Sequence, residues 1–519
     1  MTSANMDRRE FMGLTTASIA GGALGLSSSS PGGAESELWD PDRPLLRTGK
    51  PLTVQPVLMY RVSEKRRASS WKSWGGVQTD DAAVREAAEI SRQLSSLADR
   101  AGFATLIRPV VRVKSASQAR QAHDNDYDVV IVYAAAGSGD LLRACFAPKK
   151  DRDTIVFVRH RSGPAYYWYE ALSTKYLQAG DNIGGTGPLD HGGVHVEDVV
   201  VDDYDELLWR LRALYGLKNF VGAPIVALGG PWGKYSPQAP RVAGEEYGIN
   251  IIEVPYSDIE SRIGSARADR TLVSKAEEQA ERYLSLPQTT LMTDRRYVVN
   301  AFLLHRIFRE LMREHNAPAF TIKDCMTKIL PMAQTTPCLA LSLLNDEGFM
   351  AFCESDFVVI PAGILLHYIS GKPVFLHNST FPHKGICTCA HCSAPRRLDG
   401  RTYEPAKIMT HYESEYGAAP KVEMPIGRKV TFVDPEYSTG RWVGFTGVVK
   451  SNPLYEICRS QQDVEIRGRW KKLLNEVRDS HWMMAYGDYL NELRYATRRL
   501  GIEWVDISSA EDPGEPADG

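Results

Sequence analysis

The sequence has no internal apolar run near the roughly 20 residues that a bilayer-spanning helix needs, and neither sign of charge dominates it. Lys and Arg number 61 against 64 Asp and Glu, a formal net charge of −3, so no overall positive field is available to hold a nucleic-acid backbone. Cysteine is scarce too. Eight in 519 residues are too few for a disulfide scaffold, although four of them fall between Cys353 and Cys392, a clustering that asks for a local reason. These shortages argue against a membrane-embedded protein, a nucleic-acid binder and a small disulfide-framed module. With 43% hydrophobic, 24% charged and 9% aromatic residues, the composition is globular, and the length predicts about three to four domains with sizeable cores.

Residues 1–34 read as an export signal. Arg8-Arg9 is followed by Glu10-Phe11-Met12 and a weakly apolar stretch rich in Gly, Ala, Ser and Thr up to Leu26. This resembles the twin-arginine pattern, a route for proteins that are already folded. The resemblance implies a periplasmic or extracellular protein, or a cytoplasmic one if the signal is not used. Residues 35–51 read as a linker, and the fold is expected to begin near Leu52.

From Leu52 onward apolar strand-like runs alternate with helical patterns: Thr53 to Tyr60, Asp81 to Ala101, Ala104 to Val113, Asp128 to Ala134, Thr154 to Arg159. That βαβ rhythm predicts a parallel sheet over residues 52–190. The Gly-rich stretch from Gly180 to Gly193 marks a boundary, after which the rhythm restarts with Val194 to Val201 and Ala223 to Leu228 and predicts a second α/β domain over 191–384. Its Gly229-Gly-Pro-Trp-Gly233 loop falls at the carboxyl end of a strand, the rim where open α/β sheets bind ligands, which makes Trp232 a candidate substrate-binding residue. Tyr297 to Glu314 is an amphipathic helix whose stripe includes Val298, Phe302, Leu303 and Ile307. Beyond about Gly385 shorter β-like runs broken by Gly and Pro predict a small β barrel over 385–475, and residues 476–519 return to helix, strand and a tail. The expected fold class is therefore α/β, two Rossmann-like parallel-sheet domains followed by a small C-terminal barrel.

The chemistry concentrates in Phe352-Cys-Glu-Ser-Asp356, after an apolar run and before a helix reaching Gly371-Lys-Pro-Val-Phe-Leu-His-Asn378. A strand there delivers Glu354 and Asp356 to the sheet's ligand rim, and a carboxylate among apolar neighbours needs a cation or several donors as partner. A divalent metal is the economical choice.

These residues resemble the L-fucose isomerase and L-arabinose isomerase family of metal-dependent aldose–ketose isomerases, most clearly from Pro337 to Asn378 and traceably to Ile507. The resemblance implies that Glu354 is a metal ligand. It puts the second family carboxylate at His377-Asn378, with Asn378 at the aspartate place of the fucose enzyme and His377 at the glutamate place of the arabinose enzyme, and it adds His391 and His481 as histidine ligands. The metal it implies is Mn²⁺, with Mg²⁺, Co²⁺ or Zn²⁺ as alternatives, the substrate a small sugar, and the assembly a homo-oligomer. In such chemistry the ion polarises neighbouring sugar oxygens while carboxylates shuttle a proton through an enediol. Glu354, Asp356 and His377 are then the catalytic candidates, and Asp346 and His411 join Trp232 as candidates for contact with the sugar. Because Asn378 takes up no proton, a catalytically silent carbohydrate-binding protein is the alternative. A third reading rests on Cys387-Thr-Cys-Ala-His-Cys392, whose thiols and imidazole offer zinc ligands, against plain burial by strand alternation.

Overall fold

The computed structural model describes residues 39–148, 151–160, 168, 172, 194–436 and 440–509. The twin-arginine segment and the Gly180–Gly193 boundary lie outside the described residues. The chain forms two compact units, residues 49–218, and residues 219–509 together with 39–48.

The first unit is built on a parallel sheet of β1 (Leu52–Met59), β2 (Thr105–Ile107), β3 (Val111–Val113), β4 (Val129–Ala134), β5 (Asp153–Val158) and β6 (Val199–Val201) in the order β2-β1-β4-β5-β6, with β3 also on β1. All six residues of β4 are buried, the near-continuous apolar run expected of a strand covered on both faces. Helix α1 (Asp80–Arg100) starts where the Thr79 side chain accepts from the Ala82 N–H, and it buries Ala83, Ile90, Leu94 and Leu97. The stretch Val194 to Val201, which the rhythm assigns to the second unit, ends in β6 and completes this first sheet, with Val156 opposite Val199. A three-residue edge strand carries too little pattern to say which sheet it joins.

The second unit holds two layers that matter for the site. One is a four-stranded parallel sheet of β7 (Pro224–Leu228), β8 (Asn250–Val254), β10 (Ala319–Ile322) and β11 (Met350–Cys353), in the order β11-β10-β7-β8. A three-stranded side sheet joins β9 (Thr289–Leu291), β14 (Ala406–Met409) and β15 (Ala419–Val422). The helix Arg295–Glu314 buries Val298, Phe302, Leu303 and Ile307, the stripe its periodicity predicts.

The other layer is a closed antiparallel barrel of β12 (Phe375–Ser379), β13 (Ile386–His391), β16 (Lys429–Glu436), β17 (Arg441–Ser451), β18 (Ser460–Ile466) and β19 (His481–Tyr486). Pairing runs β16-β19-β12-β13-β18-β17 and returns to β16, so no edge is left open among these strands. Strand β20 (Glu503–Asp506) lies parallel on β17, where a Cβ at Gly444 would collide with the Trp504 ring. The barrel core contains Phe375, Phe432, Phe445 and Trp482, and also Cys387 and Cys389. Those two thiols are therefore core packing, and the Cys387–Cys392 cluster is split between the barrel interior and another environment.

Helix Ile360–Ser370, buried along almost its whole length, packs on both β11 and β19 and so lies between the layers. Gly363 makes this possible, since an added Cβ would sit 2.6 Å from Met483 Cε and 2.8 Å from Phe352 Cε1. The parallel-sheet rim and one end of the barrel thus meet at the same place.

Candidate metal centre

Three loops leave the carboxyl ends of β7, β10 and β11, and two are laced together. The Trp232 N–H donates to Ser355 O at 3.0 Å, the Phe357 N–H to Trp232 O at 2.8 Å, and the Lys234 N–H to Asp356 Oδ1 at 3.0 Å. The lacing holds an unfavourable backbone. Glu354 and Ser355 are consecutive non-glycine residues at φ 65° and 51°, a left-handed conformation that costs roughly 1–2 kcal/mol per residue. Strain of this kind persists where surrounding structure imposes it, commonly at functional sites.

Glu354 is aimed at two imidazoles from the barrel. His391 ends β13 and His481 begins β19, and their Nε2 atoms lie 3.6 Å and 3.5 Å from Glu354 Oε1 and Oε2. The other nitrogen of each ring is already engaged. His481 Nδ1 lies 2.7 Å from Asp356 Oδ2 and His391 Nδ1 lies 3.2 Å from Ser393 Oγ. Each ring therefore turns Nε2 toward the carboxylate, and His481 Nε2 is buried without a hydrogen-bond partner. One ligand atom from each of the three residues falls within 4.8 Å of the others. Burial alone would raise the Glu354 pKa, but the neighbouring His391, His481 and Lys234 outweigh it and hold the carboxyl at about 2. An ionised carboxylate and two imidazoles with oriented Nε2 atoms form a group that could hold a metal ion, and Asp356 behind His481 is the outer carboxylate that metal-bound histidines usually have.

The centre opens into a cavity of about 620 Å³. Trp232, Asn378 and His411 line it as the sequence predicts, with Glu413 beside His411. Asn378 stands opposite His481 across the β12–β19 pair. Asp356 is a positioning residue: it is fully buried and receives the Lys234 and Val358 N–H groups as well as His481. Sequence reasoning missed Lys234, Lys323 and Asp324, which also line the cavity. Lys323-Asp324 directly follows β10, so the strand-end rule that singled out Glu354 would have found them.

Asp356 and His481 belong to the centre without lining the cavity, and two further predicted site residues, Asp346 and His377, take part in neither. Asp346 is buried on the helix Cys338–Glu347, where Oδ1 accepts the backbone N–H groups of Arg396 and Arg397, both at 2.7 Å. His377 alternates with Phe375 into the barrel. Its ring centroid lies 5.5 Å from those of Phe375 and Phe432 and 6.2 Å from that of Trp482, and burial lowers its pKa to about 3. An unfolded histidine takes its proton near pH 6.5. The folded state does not, so this residue costs stability as the pH falls from about 6.5 towards 3. His377→Leu is expected to flatten that acid limb in urea midpoints measured between about pH 5 and 7, with bound divalent metal unchanged. A loss of metal would return His377 to the site.

The fold and the centre define an α/β protein with a fused barrel and a carboxylate–bis-imidazole group at the junction. No protein-family model matches the chain, and no curated protein matches it.

Proposed function

We propose that the protein is a metal-dependent sugar isomerase-like enzyme of carbohydrate metabolism, with Mn²⁺ the first candidate ion. The observation that carries this reading is the convergence of Glu354, His391 and His481 at the end of a cavity of sugar size. A bound ion would polarise adjacent carbonyl and hydroxyl oxygens of an aldose. Trp232 offers a flat apolar face for the sugar ring, and the Asn378 amide offers both a donor and an acceptor for a hydroxyl. The proton moved between neighbouring carbons needs a carrier other than Asn378. His411 suits that role: burial lowers its pKa against the opposing pull of Glu413, so it rests as a neutral acceptor near pH 7. Glu413, 3.9 Å from His411 Nε2, sits at the solvent side to pass the proton on. On the sequence of residues 1–34 we further propose export by the twin-arginine route. No described helix is long and apolar enough to cross a membrane.

A second reading, a silent carbohydrate-binding protein, is favoured by Asn378 where the resemblance expects a carboxylate. Incubating the Mn²⁺-loaded protein with a panel of aldoses in D₂O decides between them. Ketose formation with deuterium at the carbon next to the carbonyl, depressed in His411→Asn at equal metal content, is the expected result. Sugar binding with no exchange would establish the second reading.

A further inference from the structure

One wall of the cavity is sulfur. Cys325, Met326, Cys338, Cys353, Cys392 and Cys458 all line it, so five of the chain's eight cysteines face one cavity. All are free thiols. Cys392 is the hub, packed against Cys338 with Cys458 beside them. Cys338 and Cys392 form a small packed cluster with Ala419, and Met326 and Cys458 pack against it. Four sequence-distant elements bring these atoms together: the loop after β10, the start of the helix Cys338–Glu347, the residue after β13, and the loop before β18. Proton transfer on a sugar has no use for them.

The donor chemistry differs from that of the neighbouring centre. Glu354, His391 and His481 offer oxygen and nitrogen, whereas this wall offers thiol and thioether sulfur, the donor element that selects soft ions. Among the described residues only Glu354, His391 and His481 bring three donor atoms within 4.8 Å of one another. No three of the wall's described thiols are that close, which suits an ion content with two ligands and not zinc, which takes four.

We propose that Cys392, pairing with Cys338 or Cys458, forms a second metal site, specific for a soft monovalent cation of the copper(I) type, with Met326 as a thioether neighbour. Binding breaks two S–H bonds and forms two metal–sulfur bonds. Both protons leave to solvent, and no electron is transferred. Half-buried Cys458 at the cavity wall supplies the entry path.

The test is anaerobic titration of the reduced full-length protein with copper(I) against a chromophoric chelator. One equivalent is expected to bind, with an all-sulfur shell by X-ray absorption. Cys392→Ser is expected to weaken binding by more than the roughly 10- to 100-fold that loss of an outer-shell partner costs, and so is one of the milder pair Cys338→Ser and Cys458→Ser, which identifies the partner thiol. Retained divalent loading at Glu354 will show that the variants are folded, and Glu354→Gly is expected to keep its copper(I), which separates this site from the proposed isomerase centre. Undiminished copper(I) affinity in Cys392→Ser, or a Cys392 disulfide in the natively produced protein, would overturn the proposal.

Discussion

Glu354→Gly is expected to erase divalent metal binding and leave the metal-free protein at least as stable as metal-free wild type. The substitution removes the only carboxylate ligand, and it places the one residue that accepts φ > 0 freely at a backbone position held at φ 65°. Relief of roughly 1–2 kcal/mol then offsets the lost contacts and the greater freedom of glycine in the unfolded chain. In wild type, metal at about 100 times its Kd should add about 2.7 kcal/mol to unfolding stability, and in the variant nothing. Asp356→Asn keeps the shape behind His481 but not the charge, and should weaken metal binding by about 10- to 100-fold. Isothermal titration and denaturant midpoints with and without metal read both effects. Unchanged metal-dependent stabilisation in Glu354→Gly would remove this centre from the protein.

Asp346→Ala is expected to destabilise the second unit by about 2–5 kcal/mol, because it strips the shared acceptor from two buried backbone N–H groups. The site is dense. Arg396 is fully buried with its guanidinium 5.2 Å and 5.7 Å from the rings of Tyr283 and Tyr403, and Arg397 donates to Asp346 O at 3.1 Å. Burial pushes the Asp346 pKa up to about 7, against the pull of those N–H bonds and of Arg396 and Arg397. In the unfolded chain this group ionises near pH 4, so between about pH 4 and 7 the folded state holds a proton that the unfolded state has lost. Its contribution to stability therefore falls as the pH rises through that window. Asp346→Asn keeps the acceptor and carries no such slope. Urea melts of the three proteins at several pH values test this, and an alanine variant as stable as wild type would refute the role given to the two N–H bonds.

The two α/β sheets, the barrel and the helix stripe at Val298, Phe302, Leu303 and Ile307 were legible because period and turn signals extend over many residues. Glu354 was legible for a related reason: a carboxylate straight after a buried strand belongs to the ligand rim. The choice between His377 and Asn378 was not. Strand side chains alternate with period two, so a one-residue uncertainty in register exchanges cavity for barrel core. Asp346 was misplaced because a buried carboxylate reads alike in sequence whether its partner is a substrate or two N–H groups. The sulfur wall was hidden more deeply, since Cys338, Cys392 and Cys458 approach one another only through the tertiary fold, while the conspicuous neighbours Cys387 and Cys389 pack into the barrel.

The centre draws one donor from the turn after β11 and two from barrel strands β13 and β19. An ion seated there is a further cross-link between layers that are otherwise joined by the His481–Asp356 contact and by side-chain packing around the helix Ile360–Ser370. Unzipping the barrel at this end and releasing the ion become a single event, so that sequestering the ion should loosen the architecture, and thermal fraying of β19 should set how long the ion stays.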